Sequence, residues 1–171
     1  MDFFETVKKR YSYRGQFEEG QLPQEDLDKI LEAACLAPTG YNLQTAEIIV
    51  CDDKQTKDKL ADMFDHDGMR TAPVILVVTS SLKEADGFSF EIQDYASVTE
   101  HICLATTALG YATVWTDGDT SDSGRDKEVA KLLNIPEDVT VRAVMPIGKA
   151  KEPGQPAKKK GIKELVHFNK Y

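Results

Sequence analysis

Residues 94–110, DYASVTEHICLATTALG, decide the fold, because they carry the clearest helical pattern in the chain. Apolar side chains recur there every three or four residues, which is the spacing of one helix face: Tyr95, Val98, Ile102, Ala105 and Leu109. Other apolar residues occupy much of the remaining surface: Ala96, Cys103, Leu104 and Ala108. A helix that is apolar on most sides is normally buried, so we expect this one to lie at the centre of the protein and to end at Gly110.

Short apolar runs on both sides of this helix predict buried strands. They extend from Ala46 to Cys51, from Pro73 to Thr79, from Tyr111 to Trp115 and from Val139 to Ile147. Further helices are predicted over 2–10, from Pro23 to Leu36, from Asp53 to Phe64 and over 124–133. Strands and helices in this order predict a layered α+β or α/β structure with about four core strands.

The length and composition are those of one ordinary globular domain, residues 1–171. Of its 171 residues, 41% are hydrophobic and 29% are charged, and the net charge is −8. An acidic surface repels phosphate, which argues against nucleic acid or an anionic membrane as the main partner. The longest apolar run, Ala72 to Val78, is too short to cross a bilayer, and the N-terminus lacks a secretory signal. We therefore expect a cytoplasmic protein.

The cysteines and histidines give no sign of a metal site or of a nucleophilic catalyst. Cys35, Cys51 and Cys103 each lie in an apolar run, and we expect all three to be buried in a reducing compartment. No cysteine or histidine spacing suits zinc. We expect His66 on a surface loop, and we expect His101, within the central helix, to be a hydrogen-bonded packing residue.

Three motifs suit a planar ligand that carries a phosphate. Arg10-Tyr-Ser-Tyr-Arg14 offers two guanidinium groups and a hydroxyl near a helix end. Ala37-Pro-Thr-Gly-Tyr-Asn-Leu-Gln44 is a rigid loop whose two amide side chains can pair with the edge of a heterocycle. The tail from Lys149 holds seven lysines and two glutamates, a side-chain charge of +5 on an acidic chain.

In this order and spacing, the motifs resemble the nitroreductase family of FMN-dependent oxidoreductases. The resemblance spans nearly the whole chain, and stretches outside the three motifs also carry it: Leu22 to Ala34, Ala72 to Ile75, Asp94 to Gly110, Trp115, Ile135 to Gly148 and Val166 to Tyr171. It implies a nitroreductase-like α+β fold of three layers, α/β/α, with a mixed central sheet of about four to five strands. It also implies an intertwined homodimer, in which residues 149–171 form a basic extension that packs on the partner subunit.

The resemblance also implies which residues bind FMN. Arg10 and Ser12 match the positions that hold its phosphate, and Tyr11 lies between them. Arg14 matches a basic residue that reaches the pyrimidine end of the flavin or its ribityl chain. One or two of the tail lysines Lys158, Lys159 and Lys160 match a further phosphate contact, with Lys159 and Lys160 as the first candidates.

The rest of the implied site faces the flavin ring. One loop matches a segment that the family places across the dimer interface, against the partner's isoalloxazine ring: Pro38, Thr39, Gly40, Asn42 and Gln44. Trp115, Asp117 and Gly118 match the stretch beside the flavin N5 edge. The chain differs from the common family pattern at Tyr11, at Thr39, at Thr45-Ala46 and at Thr116-Asp117, and residues 81–91 are too few for an extended lid.

The implied function is hydride transfer from NAD(P)H through flavin N5 to a small oxidised acceptor, such as a nitroaromatic or a quinone, in a ping-pong mechanism. No side chain needs to act as a nucleophile. A second hypothesis is a dimeric flavin-binding or regulatory protein with little turnover, because the negative charge of Asp117 would lie beside N5. A third is a related flavin-dependent reductive dehalogenase. A globular dimer without a cofactor would leave the three phosphate-suited motifs unexplained.

Overall fold

The computed structural model describes residues 1–64, 66–121 and 124–171. The helices are α1 (Phe3–Lys9), α2 (Gln24–Cys35), α3 (Lys54–Met63), α4 (Asp67–Thr71), α5 (Glu91–Ala108), α6 (Asp117–Ser121), α7 (Arg125–Leu133) and α8 (Ile162–Leu165). The strands are β1 (Ala46–Cys51), β2 (Val74–Ser81), β3 (Glu84–Ala85), β4 (Phe88–Ser89), β5 (Ala112–Thr113) and β6 (Val139–Gly148). Among the described residues, no helix has the length and hydropathy needed to cross a membrane.

The main sheet has four antiparallel strands in the order β1-β2-β6-β5. Its two central strands, β2 and β6, consist almost entirely of buried residues. A parallel bridge between Ser12 and Thr113 adds the N-terminal segment to the β5 edge, so the sheet is mixed. A separate hairpin, β3-β4, lies outside this sheet. The expected α+β class is confirmed.

Helices cover both faces of the sheet, because successive side chains of a strand point to opposite sides. Ile75 and Val77 of β2 pack with α3, α4 and α7, whereas Leu76 and Val78 pack with α2 and α5. Ile102 of α5 is fully buried between the sheet and α2. The predicted three-layer arrangement is confirmed, and α5 is the central helix.

Several element boundaries follow local signals in the sequence. The Asp53 carboxylate caps α3 by accepting a hydrogen bond from the Thr56 amide at 2.9 Å. The predicted strand from Tyr111 to Trp115 is too long, because β5 contains only Ala112 and Thr113; one isolated bridge, from Thr116 to Val144 of β6, follows before α6 begins. Helix α1 forms where expected, but its apolar side chains are exposed in the single chain: Phe3, Phe4 and Val7.

The three thiols differ in accessibility. The expectation that all three are buried is wrong for Cys35, which lies exposed at the end of α2, whereas Cys51 and Cys103 are buried. Burial raises the pKa of Cys51 to about 11 and that of Cys103 to about 12, and nearby carboxylates add to both shifts. Because the thiolate is the reactive form, both thiols stay protonated and inert near neutral pH.

We therefore predict that a thiol-specific reagent at pH 8 modifies Cys35 alone in the native protein and all three cysteines in denaturant. Counting the thiols that react in each state checks this prediction. The Cys35→Ser variant is the control and should show no reaction while folded. Modification of Cys51 or Cys103 in the folded protein would contradict the burial described above.

Candidate functional site

The segment Arg10-Tyr-Ser-Tyr-Arg14 runs in extended form along the edge of the sheet. The Tyr13 amide donates to the Thr113 carbonyl at 2.9 Å, and Ser12 bridges the same residue. Side chains of an extended segment alternate between two sides. Tyr13 is buried in the core, whereas Ser12 and Arg14 are exposed on the other side. The sequence motif therefore places its aromatic residues inward and its anion-binding residues outward.

The outward side of this segment carries positive charge that carboxylates neutralise only in part. The Arg10 Nε atom lies 3.9 Å from a carboxylate oxygen of Glu100 on α5, which is a long and weak ion pair. Within the part of the chain that the structure describes, no carboxylate oxygen lies within 4 Å of the Arg14 guanidinium group. Two guanidinium groups and a hydroxyl on one side can bind an anion such as a phosphate.

The Tyr11 side chain belongs to the inward side of the segment. Its ring lies edge-on to that of Tyr13, with centroids 6.1 Å apart. It also packs against Gly154 of the tail so closely that a Cβ atom there would lie 2.0 Å from a ring carbon. The Tyr11 ring therefore packs on the side of the segment that faces Tyr13 and the tail, away from the exposed side of Ser12 and Arg14.

The stretch after β5 is held by residues of α5. The Trp115 and Tyr95 rings pack edge to face, with centroids 6.2 Å apart. The Tyr95 hydroxyl donates to the Asp117 carboxylate at 2.7 Å, and the Arg142 guanidinium lies over the Tyr95 ring. Burial and the Asp117 carboxylate raise the pKa of Tyr95 to about 12, so its phenol remains a hydrogen-bond donor at neutral pH. Gly118 is exposed on α6.

His66 adjoins this region, which the sequence did not indicate. The Phe17 amide donates to Thr71 Oγ1 at 2.9 Å, so α4 packs beside the N-terminal segment. His66 lies in a bend before α4, as expected for a loop residue, but it is only partly exposed. Both of its ring nitrogens are buried and have no hydrogen-bond partner among the described residues. Burial lowers the pKa of His66; nearby Asp119 opposes this shift, and Arg14 adds to it.

Two further buried polar atoms, in β5 and just after it, lack a hydrogen-bond partner among the described residues. They are Thr113 Oγ1, beside Ser12, and Trp115 Nε1. Buried polar groups are nearly always hydrogen-bonded in folded proteins. The unpaired atoms of Thr113 and His66, which lie beside the basic segment, fit a ligand with several polar atoms.

The loop at residues 38–44 forms a second feature, next to the start of α5. The Gly40 amide donates to Asp94 Oδ1 at 2.8 Å, and a Cβ atom on Gly40 would lie 2.3 Å from the Phe90 ring. Three residues of the loop adopt left-handed backbone angles although none of them is glycine: Tyr41, Asn42 and Gln44, with φ of 50°, 54° and 48°. Pro38, Asn42 and Gln44 are exposed, and the Thr39 hydroxyl accepts a hydrogen bond from the Gln44 amide. The loop is thus rigid and presents polar side chains outward.

The single chain does not join these parts into one site. Among the described residues, no hydrogen bond, ion pair or ring contact links the loop at 38–44 to Arg10, Ser12 or Arg14. The tail is attached as far as Gly154, through the bridge of Phe17 to Ala150 and the close contact with Tyr11. Beyond it, residues 155–171, including Lys159 and Lys160, are all exposed.

Comparison with known proteins identifies the family. The model of the nitroreductase family matches residues 7–65 and 64–149. The chain belongs to the nitroreductase family. Its resemblance to that family, carried by the motifs quoted above, is thereby confirmed.

Individual nitroreductase relatives agree with this assignment over the full length. A protein of Methanothermobacter thermautotrophicus named NADH dehydrogenase/NAD(P)H nitroreductase is 31% identical, with 100% of this chain and 88% of the relative aligned. The FMN-dependent nitroreductase of Clostridium difficile R20291 superposes with a TM-score of 0.83 at 28% identity, covering 98% of this chain and 99% of that one. A structure from Parabacteroides distasonis, covering 99% and 98% of the two chains, has a TM-score of 0.86 at 23% identity and shows the same fold.

Proposed function

We propose that this nitroreductase-family chain binds FMN and uses NAD(P)H to reduce a small oxidised acceptor, such as a nitroaromatic or a quinone. The observation that carries the proposal is the row formed by Arg10, Ser12 and Arg14, in which Ser12 and Arg14 are exposed and Arg10 is half-buried. It offers two cations and a hydroxyl on one side of an extended segment, as a phosphate requires. Nicotinamide nucleotides and FMN appear in the names of its relatives, which supports the same assignment.

The residues present fit FMN. Arg10 and Ser12 would bind the phosphate, and Lys159 or Lys160 would add a contact from the tail. Arg14 would reach the pyrimidine end or the ribityl chain, close to the buried ring nitrogens of His66 that lack partners. Trp115, Asp117 and Gly118 would line the N5 edge, and Tyr11 would support the segment through its ring.

When bound, FMN supplies the redox chemistry, taking a hydride from NAD(P)H and passing it to the acceptor. The protein would bind and orient the reactants. The positive charge of Arg14 would stabilise negative charge that develops at the pyrimidine end. No side chain is needed as a nucleophile, and water can supply protons.

We further propose a homodimer in which both subunits build each site. The flavin-facing loop, with Pro38, Thr39, Gly40, Asn42 and Gln44, lies apart from Arg10 and Ser12 within one chain, so a partner would have to bring the two together. Several exposed apolar side chains would be covered in such a dimer: Phe3, Phe4 and Val7 of α1, and Ile162, Leu165, Val166 and Phe168 of the tail.

Steady-state oxidation of NADH and NADPH with a panel of acceptors tests the activity. We expect a quinone and a nitroaromatic to accelerate the oxidation, with the parallel double-reciprocal plots of a ping-pong mechanism. FMN binding without acceptor-dependent oxidation would favour the flavin-binding protein with little turnover. Halide release from a halogenated aromatic, without reduction of the other acceptors, would favour the reductive dehalogenase.

A further inference from the structure

Two neighbouring residues of α5 hold the two segments that would face flavin rings. Asp94 and Tyr95 are adjacent, so their side chains leave the helix about 100° apart. Asp94 binds the loop at residues 38–44 and Thr45, whereas Tyr95 binds Asp117. Both side chains are buried, with 1% and 7% of the residue exposed.

The Asp94 carboxylate uses both oxygens to hold the loop. Oδ1 accepts from the Gly40 amide and Oδ2 accepts from the Thr45 hydroxyl, each at 2.8 Å. These bonds lie at the two ends of the stretch that contains the left-handed residues Tyr41, Asn42 and Gln44. A backbone in this strained region persists only where its surroundings fix it. A buried, charged acceptor at both ends does so, because such hydrogen bonds are among the stronger ones in proteins.

Tyr95 restrains the other segment in the same way. Its hydroxyl donates to Asp117 Oδ2 at 2.7 Å, and its ring packs against both Trp115 and the Arg142 guanidinium group. Arg142 is itself fixed by a 2.8 Å hydrogen bond from its Nε atom to Ser80 Oγ on β2. The orientation of the Asp117 carboxylate is therefore set by the sheet and by α5.

We infer that Asp94 and Tyr95 are positioning residues of the flavin site, which set the conformation of the 38–44 loop and of Asp117. This inference rests on the proposed function. Neither residue would need to touch FMN. Asp94 would fix the loop that meets one flavin, and Tyr95 would fix the carboxylate beside the N5 edge. The Asp117 carboxylate would then stay hydrogen-bonded to the Tyr95 phenol and would not turn toward the reactants.

Two isosteric variants test the pair, each with a matched control. Thr45→Val removes one hydrogen bond to Asp94, and Thr45→Ser retains it. Tyr95→Phe removes the bond to Asp117. Tyr111→Phe removes a bond of the same length, 2.7 Å to Asp26, between a phenol and a carboxylate outside the candidate site. The measurements are the FMN dissociation constant, the visible circular dichroism of bound FMN, and amide exchange in the flavin-free protein.

We expect Thr45→Val to raise the FMN dissociation constant about tenfold and to speed amide exchange at residues 39–44. Tyr95→Phe should raise the FMN dissociation constant by a similar factor and change the visible circular dichroism of bound FMN. Thr45→Ser and Tyr111→Phe should remain within about twofold of the wild type.

The outcomes separate the two claims. If wild-type protein binds FMN while Thr45→Val and Tyr95→Phe leave affinity, dichroism and exchange unchanged, the positioning role is wrong and the proposed function stands. The same holds if the control variants lose as much affinity as the test variants. Wild-type protein that binds no FMN would overturn the proposed function and the inference with it.

Discussion

The Arg10→Ala variant should lose FMN affinity by a factor of about 10 to 100, while its affinity for riboflavin stays the same. The guanidinium group would make a charge-assisted hydrogen bond to the phosphate, and such bonds contribute about 1.5–3 kcal/mol. Its competing contact is weak, because Glu100 lies 3.9 Å away. Titration of the flavin-free protein with FMN and with riboflavin, followed by flavin fluorescence, measures both affinities.

Riboflavin lacks the phosphate, so it isolates the contribution of Arg10 from any general damage to the site. The matched control is Lys29→Ala, which removes a positive charge paired with Glu25 at 2.8 Å on the surface of α2. This variant should bind FMN like the wild type. If Arg10→Ala weakened FMN and riboflavin equally, or neither of them, Arg10 would not be the phosphate-binding residue.

A chain that ends at Gly154 should be monomeric and should lose at least a hundredfold in FMN affinity. Residues up to Gly154 are attached to their own chain, whereas residues 155–171 are exposed throughout. The deletion therefore removes the lysines beyond Gly154 and five exposed large apolar or aromatic side chains: Ile162, Leu165, Val166, Phe168 and Tyr171. Light scattering after size exclusion gives the oligomeric state, and FMN titration gives the affinity.

A full-length variant with Lys158, Lys159 and Lys160 changed to glutamine separates the two roles of the tail. It retains the apolar side chains, so it should remain dimeric while FMN affinity falls by about tenfold. A truncated chain that still forms dimers would show that the interface lies elsewhere. A truncated chain that forms dimers and binds FMN with unchanged affinity would also show that the tail lysines do not contact FMN.

The sequence predicts the fold well because most of its elements follow local rules. Helix α3 begins at the Asp53 cap, and β1 occupies the predicted run from Ala46 to Cys51. For Arg10-Tyr-Ser-Tyr-Arg14 the sequence predicted anion-binding side chains, and the structure adds an alternation that was not predicted, with Tyr13 inward and Ser12 and Arg14 outward. Local periodicity thus predicted the layers of the fold.

The parts that the sequence did not predict depend on contacts between distant residues. Asp94 binds Gly40 and Thr45 across 54 and 49 positions, and no local pattern indicates such a pair. The left-handed angles of Tyr41 and Gln44 are unusual for these residue types and depend on that support. His66 reaches the site because α4 packs beside Phe17, a contact that periodicity cannot indicate.

The anaerobic absorption spectrum of the purified protein with added FMN, before and after NADH or NADPH, tests the central claim most directly. We predict a flavin spectrum altered by binding, followed by loss of the visible flavin band when either nucleotide is added. A bound flavin that neither nucleotide bleaches would contradict the proposed oxidoreductase activity and would favour a flavin-binding protein with little turnover. An unaltered spectrum of free FMN would contradict the flavin site itself.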